Sequence, residues 1–240
     1  MFLHLHFTEM KFDVIILAGG LGTRLKTVVA DVPKPMAPVA NQPFLNHILK
    51  LLPLGNINQI ILSVGYKYEK IQEYYGNTFN AIPIVYSIEN EPLGTGGGIK
   101  LALQKVETEH CLIMNGDTFF DVDLEQFWQI HNLYNHNITL ALKQVENPDR
   151  YGTVILEKEK IVKFSEKQVG LKLGLINGGL YWFSKETIAH LPEEAKFSFE
   201  SDFLEKNVNS LLMGGYIDDG MFIDIGIPTD YERAQSLFAE

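Results

Sequence analysis

Apolar residues fall in short runs at 14–17, 60–64, 84–86, 111–114 and 138–142, each bounded by polar or glycine-containing stretches. Runs this short, rich in Ile, Val and Leu, suit strands buried on both faces. Between them the period changes. Over 44–54, Leu45, Ile48, Leu49 and Leu52 recur at the i, i+3, i+4, i+7 spacing of one helix face. Leu124–Leu133 repeats the pattern with Phe127, Trp128 and Ile130, behind Asp123 as a cap. Strand–helix alternation through the first half predicts a mostly parallel central sheet with helices on both faces.

The second half reads differently. YGTVILEKEKIVKFSEK, from Tyr151, has the pattern of a hairpin turning near 157–160, and GLINGGLYWFS, ending at Ser184, that of a further strand. A last strand is expected at 221–225, then a helix over 230–238 capped by Thr229. EEAKFSFESDF, from Glu193, reads as a solvated face with Ser198 as a helix cap. No linker, repeat or low-complexity stretch divides the chain, so residues 11–240 form one domain. Residues 1–10, MFLHLHFTEM, precede the periodic pattern and read as a poorly ordered extension from an early start codon. The first nine residues are expected to contribute nothing to folding or catalysis.

Composition narrows the class. Hydrophobic residues make up 46% and charged residues 21%, as in an ordinary globular enzyme. No apolar run approaches the roughly 20 residues of a membrane span, and residues 1–10 lack the basic start and cleavage site of a secretory signal. The single cysteine, Cys111, excludes an internal disulfide, fits a reducing cytoplasm and reads as a small strand hydrophobe. A net charge of −10 argues against nucleic acid or an anionic membrane as partner.

Against that acidic background one stretch stands out. IILAGGLGTRLKTVVADVPKPMAPV, residues 15–39, breaks from a strand into Ala18, Gly19, Gly20, Gly22 and Thr23, with Arg24, Lys26 and Lys34 behind. Glycines after a first strand let backbone N–H groups cradle phosphate, and the cations suit a highly anionic ligand. A Walker loop does not fit, because no Gly-Lys-Ser/Thr closes the turn. The dinucleotide fingerprint fails too: position 25 is Leu, and no acidic residue follows the next strand at the required spacing.

LAGGLGTRL…PKPMAPV resembles the signature of the sugar-phosphate nucleotidyltransferases. So do EPLGTGGGI, NGDTFFDVDL, RYGTV, FSEK, LINGGLY and FIDIGIPTDY, which follow in that family's order across 11–238. Within it the chain looks most like the guanylyltransferases of D-glycero-α-D-manno-heptose 1-phosphate. The resemblance implies an α/β fold with a Rossmann-like, mostly parallel central sheet, and a chain ending at Glu240 without the C-terminal β-helix of longer members. It also implies that a sugar 1-phosphate and GTP give GDP-heptose, for surface polysaccharide, and pyrophosphate.

In-line attack of one phosphate on the α-phosphorus of another is a problem of charge and geometry. The resemblance places Ala18, Gly19, Gly20, Gly22, Thr23, Glu89, Gly94, Thr95 and Gly96 on the nucleotide, and Arg24 and Lys34 on its phosphates. A carboxylate such as Glu89 can accept from the adjacent N1–H and amino donors of guanine. Gly152, Glu166, Lys167 and Asn177 fall on the sugar phosphate, although Gln168 stands where the family usually has proline. Taken alone, Lys167 would read as a solvated lysine. Asp117, after one strand, and Asp224, in another, are expected to hold Mg2+, which prefers carboxylates, phosphates and water.

Two other readings stay open. One is a uridylyl- or guanylyltransferase for an amino-sugar or mannose 1-phosphate. The other is an inactive sugar-nucleotide-sensing subunit, which the presence of Arg24, Lys34, Asp117, Lys167 and Asp224 disfavours. The sequence leaves a homo-oligomer open.

Overall fold

The computed structural model describes residues 7, 10–20, 25, 32–165 and 170–239. In chain order the elements are β1 (Phe12–Leu17), β2 (Pro38–Val39), β3 (Gln42–Pro43), α1 (Phe44–Leu49), β4 (Ile57–Val64), α2 (Tyr68–Tyr75), β5 (Thr78–Phe79), β6 (Ile82–Ile88), α3 (Gly94–Leu103), β7 (His110–Asn115), β8 (Thr118–Phe120) and α4 (Leu124–Leu133). There follow β9 (Ile138–Glu146), β10 (Thr153–Glu157), β11 (Lys160–Ser165), β12 (Leu173–Ser184), a π-helical turn (Phe199–Leu204), α5 (Glu205–Asn207), β13 (Met213–Ile217), β14 (Phe222–Asp224) and α6 (Pro228–Leu237).

Ten strands form one sheet in the order β10-β11-β13-β9-β12-β7-β1-β4-β6-β5. Its β7-β1-β4-β6 part is parallel, as the strand–helix alternation predicts. The expectation of a mostly parallel sheet does not extend further. β12 runs antiparallel to both β7 and β9, and β10–β11 is an antiparallel hairpin, so the sheet is mixed. The β10–β11 hairpin follows from its short turn, whereas β12 pairs with strands that are not its neighbours in sequence, so no local connection sets its direction.

Strand alternation divides the core. Val14 and Ile16 face one cluster with Phe12, Leu62, Met114, Trp182 and residues of α1, α2, α4 and α6. Ile15 faces the other with Ile61, Ile113, Tyr181, residues of α3, Phe199 and Phe203. Both faces are therefore covered by helices. Cys111 is buried in the second cluster, and burial pushes its thiol up, as suits an inert core residue.

Local rules hold at α4, where the Asp123 carboxylate accepts from the Gln126 N–H at 3.0 Å. Elsewhere they were overridden. The helix expected over 44–54 ends at Leu49, ahead of Pro53, although Leu52 still reaches the core. Thr229 is not a cap: α6 begins at Pro228, whose fixed φ starts a helix directly. The 193–203 stretch is no solvated face, because Phe197, Phe199 and Phe203 are buried; Ser198 does cap, accepting from the Ser201 N–H at 3.2 Å. The amino-terminal extension is not inert throughout. Phe7 and Met10 are buried on the first cluster, and both their carbonyls accept from the Asn56 side chain. Among the described residues no helix is long and apolar enough to cross a membrane.

Candidate active site

Parallel strands gather ligands outside their carboxyl ends, above all where the chain switches from one side of its first strand to the other. Here the chain passes from β1 to β4 and β6, then returns to β7 on the opposite flank. A cleft of about 360 Å³ opens at that point, lined by Gly19, Gly20, Ser63, Glu89, Thr95 and Asp117 among others. A second cavity of about 210 Å³ is lined by Asp117, Arg150, Gly152, Asn177, Glu200 and Asp224 among others. Asn115 and Asp117 belong to both walls.

Asp117 and Asp224 are brought together by the β8–β14 ladder. Asp224 stands opposite Thr118, and the Ile225 N–H donates to the Asp117 carbonyl at 3.0 Å. Lys34, on a single 3-10 turn between Pro33 and Pro35, reaches both: its Nζ lies 2.5 Å from Asp117 Oδ2 and 3.5 Å from Asp224 Oδ1. Burial raises the Asp224 carboxyl above its ordinary value, Asp117's charge adds to the rise, and Lys34 opposes it. Two carboxylates sharing one ammonium form a site short of positive charge, the electrostatic setting that a divalent cation relieves. Among the described residues no third His, Cys, Asp or Glu joins them in a metal-holding group, so further ligands would have to come from phosphate and water.

In the larger cleft Glu89 follows β6 and is half-buried, with its carboxyl raised by burial. Its oxygens accept from the Leu93 N–H at 3.2 Å and the Ser63 hydroxyl at 3.3 Å. A Cβ on Gly19 or Gly98 would stand 2.8 Å from its Oε1, so glycine at both positions makes room for this carboxylate. The Ala18 N–H is spent on the Ser63 carbonyl, while Gly20 is exposed at the mouth.

The glycines of α3 have another use. A Cβ on Gly96 would meet the Phe197 ring at 2.2 Å, and one on Gly94 the Phe197 carbonyl at 2.6 Å. The Gly96 N–H already donates to that carbonyl at 3.1 Å. Gly94 and Gly96 thus pack against the segment before the π-helical turn, and Gly94 and Thr95 also line the cleft.

In the smaller cavity the Asn177 N–H donates to the Gly152 carbonyl at 2.9 Å, which holds these two expected sugar-site residues together. Asn177 Nδ2 donates to Tyr181 Oη at 2.7 Å across a register shift in β12, the kind of irregularity that re-aims a side chain. Gly22, Thr23, Arg24, Lys26, Glu166 and Lys167 lie outside the described residues. Arg150 and Glu200, in the same wall, were not singled out from sequence. The Arg-Tyr-Gly and Phe-x-Phe-Glu patterns around them were the available signals.

The sequence model of the nucleotidyl transferase family matches residues 13–240. The chain belongs to this family. Among its nucleotidyl transferase relatives, the D-glycero-alpha-D-manno-heptose 1-phosphate guanylyltransferase of Aneurinibacillus thermoaerophilus is 49% identical over 93% of this chain and 96% of its own. The protein of the same name from Campylobacter jejuni is 49% identical over 91% and 96%. HddC from Yersinia pseudotuberculosis, crystallised with GMP-PN, is 37% identical, with a TM-score of 0.82 over 95% of this chain and 99% of that one.

Proposed function

We propose that this nucleotidyltransferase moves GMP from GTP to a sugar 1-phosphate, D-glycero-α-D-manno-heptose 1-phosphate, releasing pyrophosphate. The observation that carries the reading is Asp117, which lies in the walls of both cavities and shares Lys34 with Asp224. A triphosphate in the larger cleft and a sugar phosphate in the smaller would meet there. The names of the two relatives that are 49% identical supply the nucleotide and the sugar.

The reaction forms one bond, from a sugar-phosphate oxygen to the α-phosphorus, and breaks the α–β bridge. Neither partner needs a strong base, because the nucleophile is already an anion. Lys34 supplies a fixed positive charge where three anionic groups converge, and Arg24 and Lys167 are assigned to the triphosphate and the sugar phosphate. Asp117 and Asp224 would hold a divalent metal, Mg2+ by its preference for oxygen ligands. When bound, that ion neutralises phosphate charge and favours departure of pyrophosphate. The Gly152 and Asn177 pair, with Glu166, orients the sugar. Glu89 accepts from the guanine N1–H and amino group with lone pairs left over from Leu93 and Ser63.

Pyrophosphate release tests the reading when each nucleoside triphosphate is offered with heptose, mannose and amino-sugar 1-phosphates. GTP with the heptose is expected to give the highest kcat/KM. Preference for UTP with an amino-sugar 1-phosphate would overturn it. Glu89→Gln should cut the preference for GTP over UTP by about tenfold or more, the worth of a hydrogen bond to a charged group. An unchanged ratio removes Glu89 from base recognition.

A further inference from the structure

Glu200 stands on the π-helical turn Phe199–Leu204 and lines the smaller cavity with Gly152 and Asn177. Its Oε2 accepts two hydrogen bonds, from the Thr95 hydroxyl at 2.8 Å and the Ser198 hydroxyl at 3.1 Å. Both hydroxyls are themselves fixed. The Phe199 N–H donates to Thr95 Oγ1 at 2.9 Å, and the Ser201 N–H donates to Ser198 Oγ at 3.2 Å. With backbone N–H groups on their lone pairs, each hydroxyl keeps its single proton for the carboxylate.

Both hydrogen bonds that hold Glu200 among the described residues therefore end on one oxygen. Among the described residues no hydrogen bond ends on Oε1, and no cation pairs with the carboxylate. Arg150, in the same wall, is already paired with Asp230 at 2.7 Å. A clamp made only to hold the turn would not need a charged group in a cavity with half its acceptor capacity unused. The other carboxylates of this cavity, Asp117 and Asp224, lie with Lys34 at the phosphate-handling end. Among the described residues Glu200 is bound to neutral hydroxyls alone.

We infer that Glu200 is a specificity-determining residue: Oε1 accepts a hydroxyl of the sugar 1-phosphate, while Thr95 and Ser198 hold Oε2. The inference rests on the assignment of the smaller cavity to the sugar. It selects a polyol over a sugar that is deoxygenated or anionic at the same position, since a carboxylate attracts a donor and repels a charge. Because Thr95 also lines the larger cleft, the Thr95–Glu200 bond ties the sugar-reading group to the wall of the nucleotide site.

The test uses the full chain, heptose 1-phosphate and its monodeoxy analogues. Glu200→Gln keeps an acceptor for Thr95 and Ser198 but removes the charge. It should raise KM for heptose 1-phosphate about ten- to a hundredfold and leave KM for GTP within about twofold, as expected for one lost charged hydrogen bond. One monodeoxy analogue should lose the same factor with the wild-type enzyme and nothing more with Glu200→Gln. Ser198→Ala, which loosens the Oε2 clamp at a residue in neither cavity wall, serves as the structural control, with Tm measured for both variants. Equal rises in both KM values with a matching fall in Tm would make Glu200 a clamp and overturn the inference. So would additive losses at every deoxy position. Wild-type enzyme inert towards every sugar 1-phosphate would overturn the functional reading and this inference together, whereas normal wild-type turnover with an unaffected Glu200→Gln overturns the inference alone.

Discussion

Lys34 and Asp117, 83 residues apart in sequence, are joined Nζ to Oδ2 at 2.5 Å, and the same ammonium lies 3.5 Å from Asp224. The lysine assigned to phosphate thus doubles as the counter-ion of the carboxylate pair. The three side chains behave as one electrostatic unit, and substitutions in it should not add.

Asp117→Asn and Asp224→Asn should each leave Tm close to wild type and lower turnover by orders of magnitude, since metal charge stabilisation is worth several kcal/mol. The double variant should be little worse than either single, because groups acting together are not additive. Excess chelator should abolish wild-type turnover. Rates in a pyrophosphate-release assay check all three, and losses that multiply in the double variant would show two independent roles.

Lys34→Met should destabilise the protein at neutral pH by leaving Asp117 and Asp224 to repel each other. Asp224 is already raised by burial and by Asp117, and loss of Lys34 raises it further. A carboxyl raised in the folded state binds a proton more readily there than in the unfolded chain. Its stabilising contribution is present below the ordinary value of 3.8 and is lost as pH rises through the folded value. The Tm gap between wild type and Lys34→Met should therefore narrow from pH 7.5 to pH 5. A gap independent of pH would contradict this account.

Phe7→Ala should lower stability by roughly 1–3 kcal/mol, at or below the low end for a fully enclosed Phe because the site lies near the terminus. The ring is 8% exposed and packs 6.0 Å from Phe12. A chain beginning at Met10 should show the same loss in denaturant melts, whereas kcat should not change, since Phe7 lies in no wall of the two cavities.

The protein should lose stability steeply on mild acidification, because His110, His131 and His136 are packed as neutral rings. His110 Nδ1 lies 3.2 Å from His131 Nε2, and both His131 and His136 reach Thr139 Oγ1, at 2.8 and 3.2 Å. Burial lowers all three, His136 to about 4, although Glu109 and Glu186 beside His110, and Glu159 beside His136, pull the other way. A lowered histidine leaves the unfolded chain binding more protons. Stability is complete above the ordinary value of 6.5 and is lost as pH falls towards about 4. Melting curves from pH 8 to 4.5 check this, and His136→Gln should flatten the slope.

Much of the architecture was legible along the chain because it depends on local period. The β1, β4, β6 and β7 cores, the Asp123-capped α4 and the β10–β11 hairpin are all written in neighbouring residues. The glycines after the first strand and the Lys34 motif likewise suggest an anionic ligand from sequence alone, since backbone freedom and fixed charge are properties of a few adjacent positions.

Only the tertiary structure decided what those positions meet. Period cannot say which strands pair, so the antiparallel β12 beside β7 was invisible. In the sequence Asp117 and Asp224 are linked only by a family resemblance; the β8–β14 ladder is what sets them around Lys34. The lack of a side chain at Gly94 and Gly96 does not say what approaches them; the fold brings Phe197 against both, while Gly94 also lines the cleft. The burial of Phe7, Phe197, Phe199 and Phe203 escapes the sequence for the same reason. Burial and partnership are fixed by contacts between residues far apart in sequence, and no local pattern of polar and apolar positions contains them.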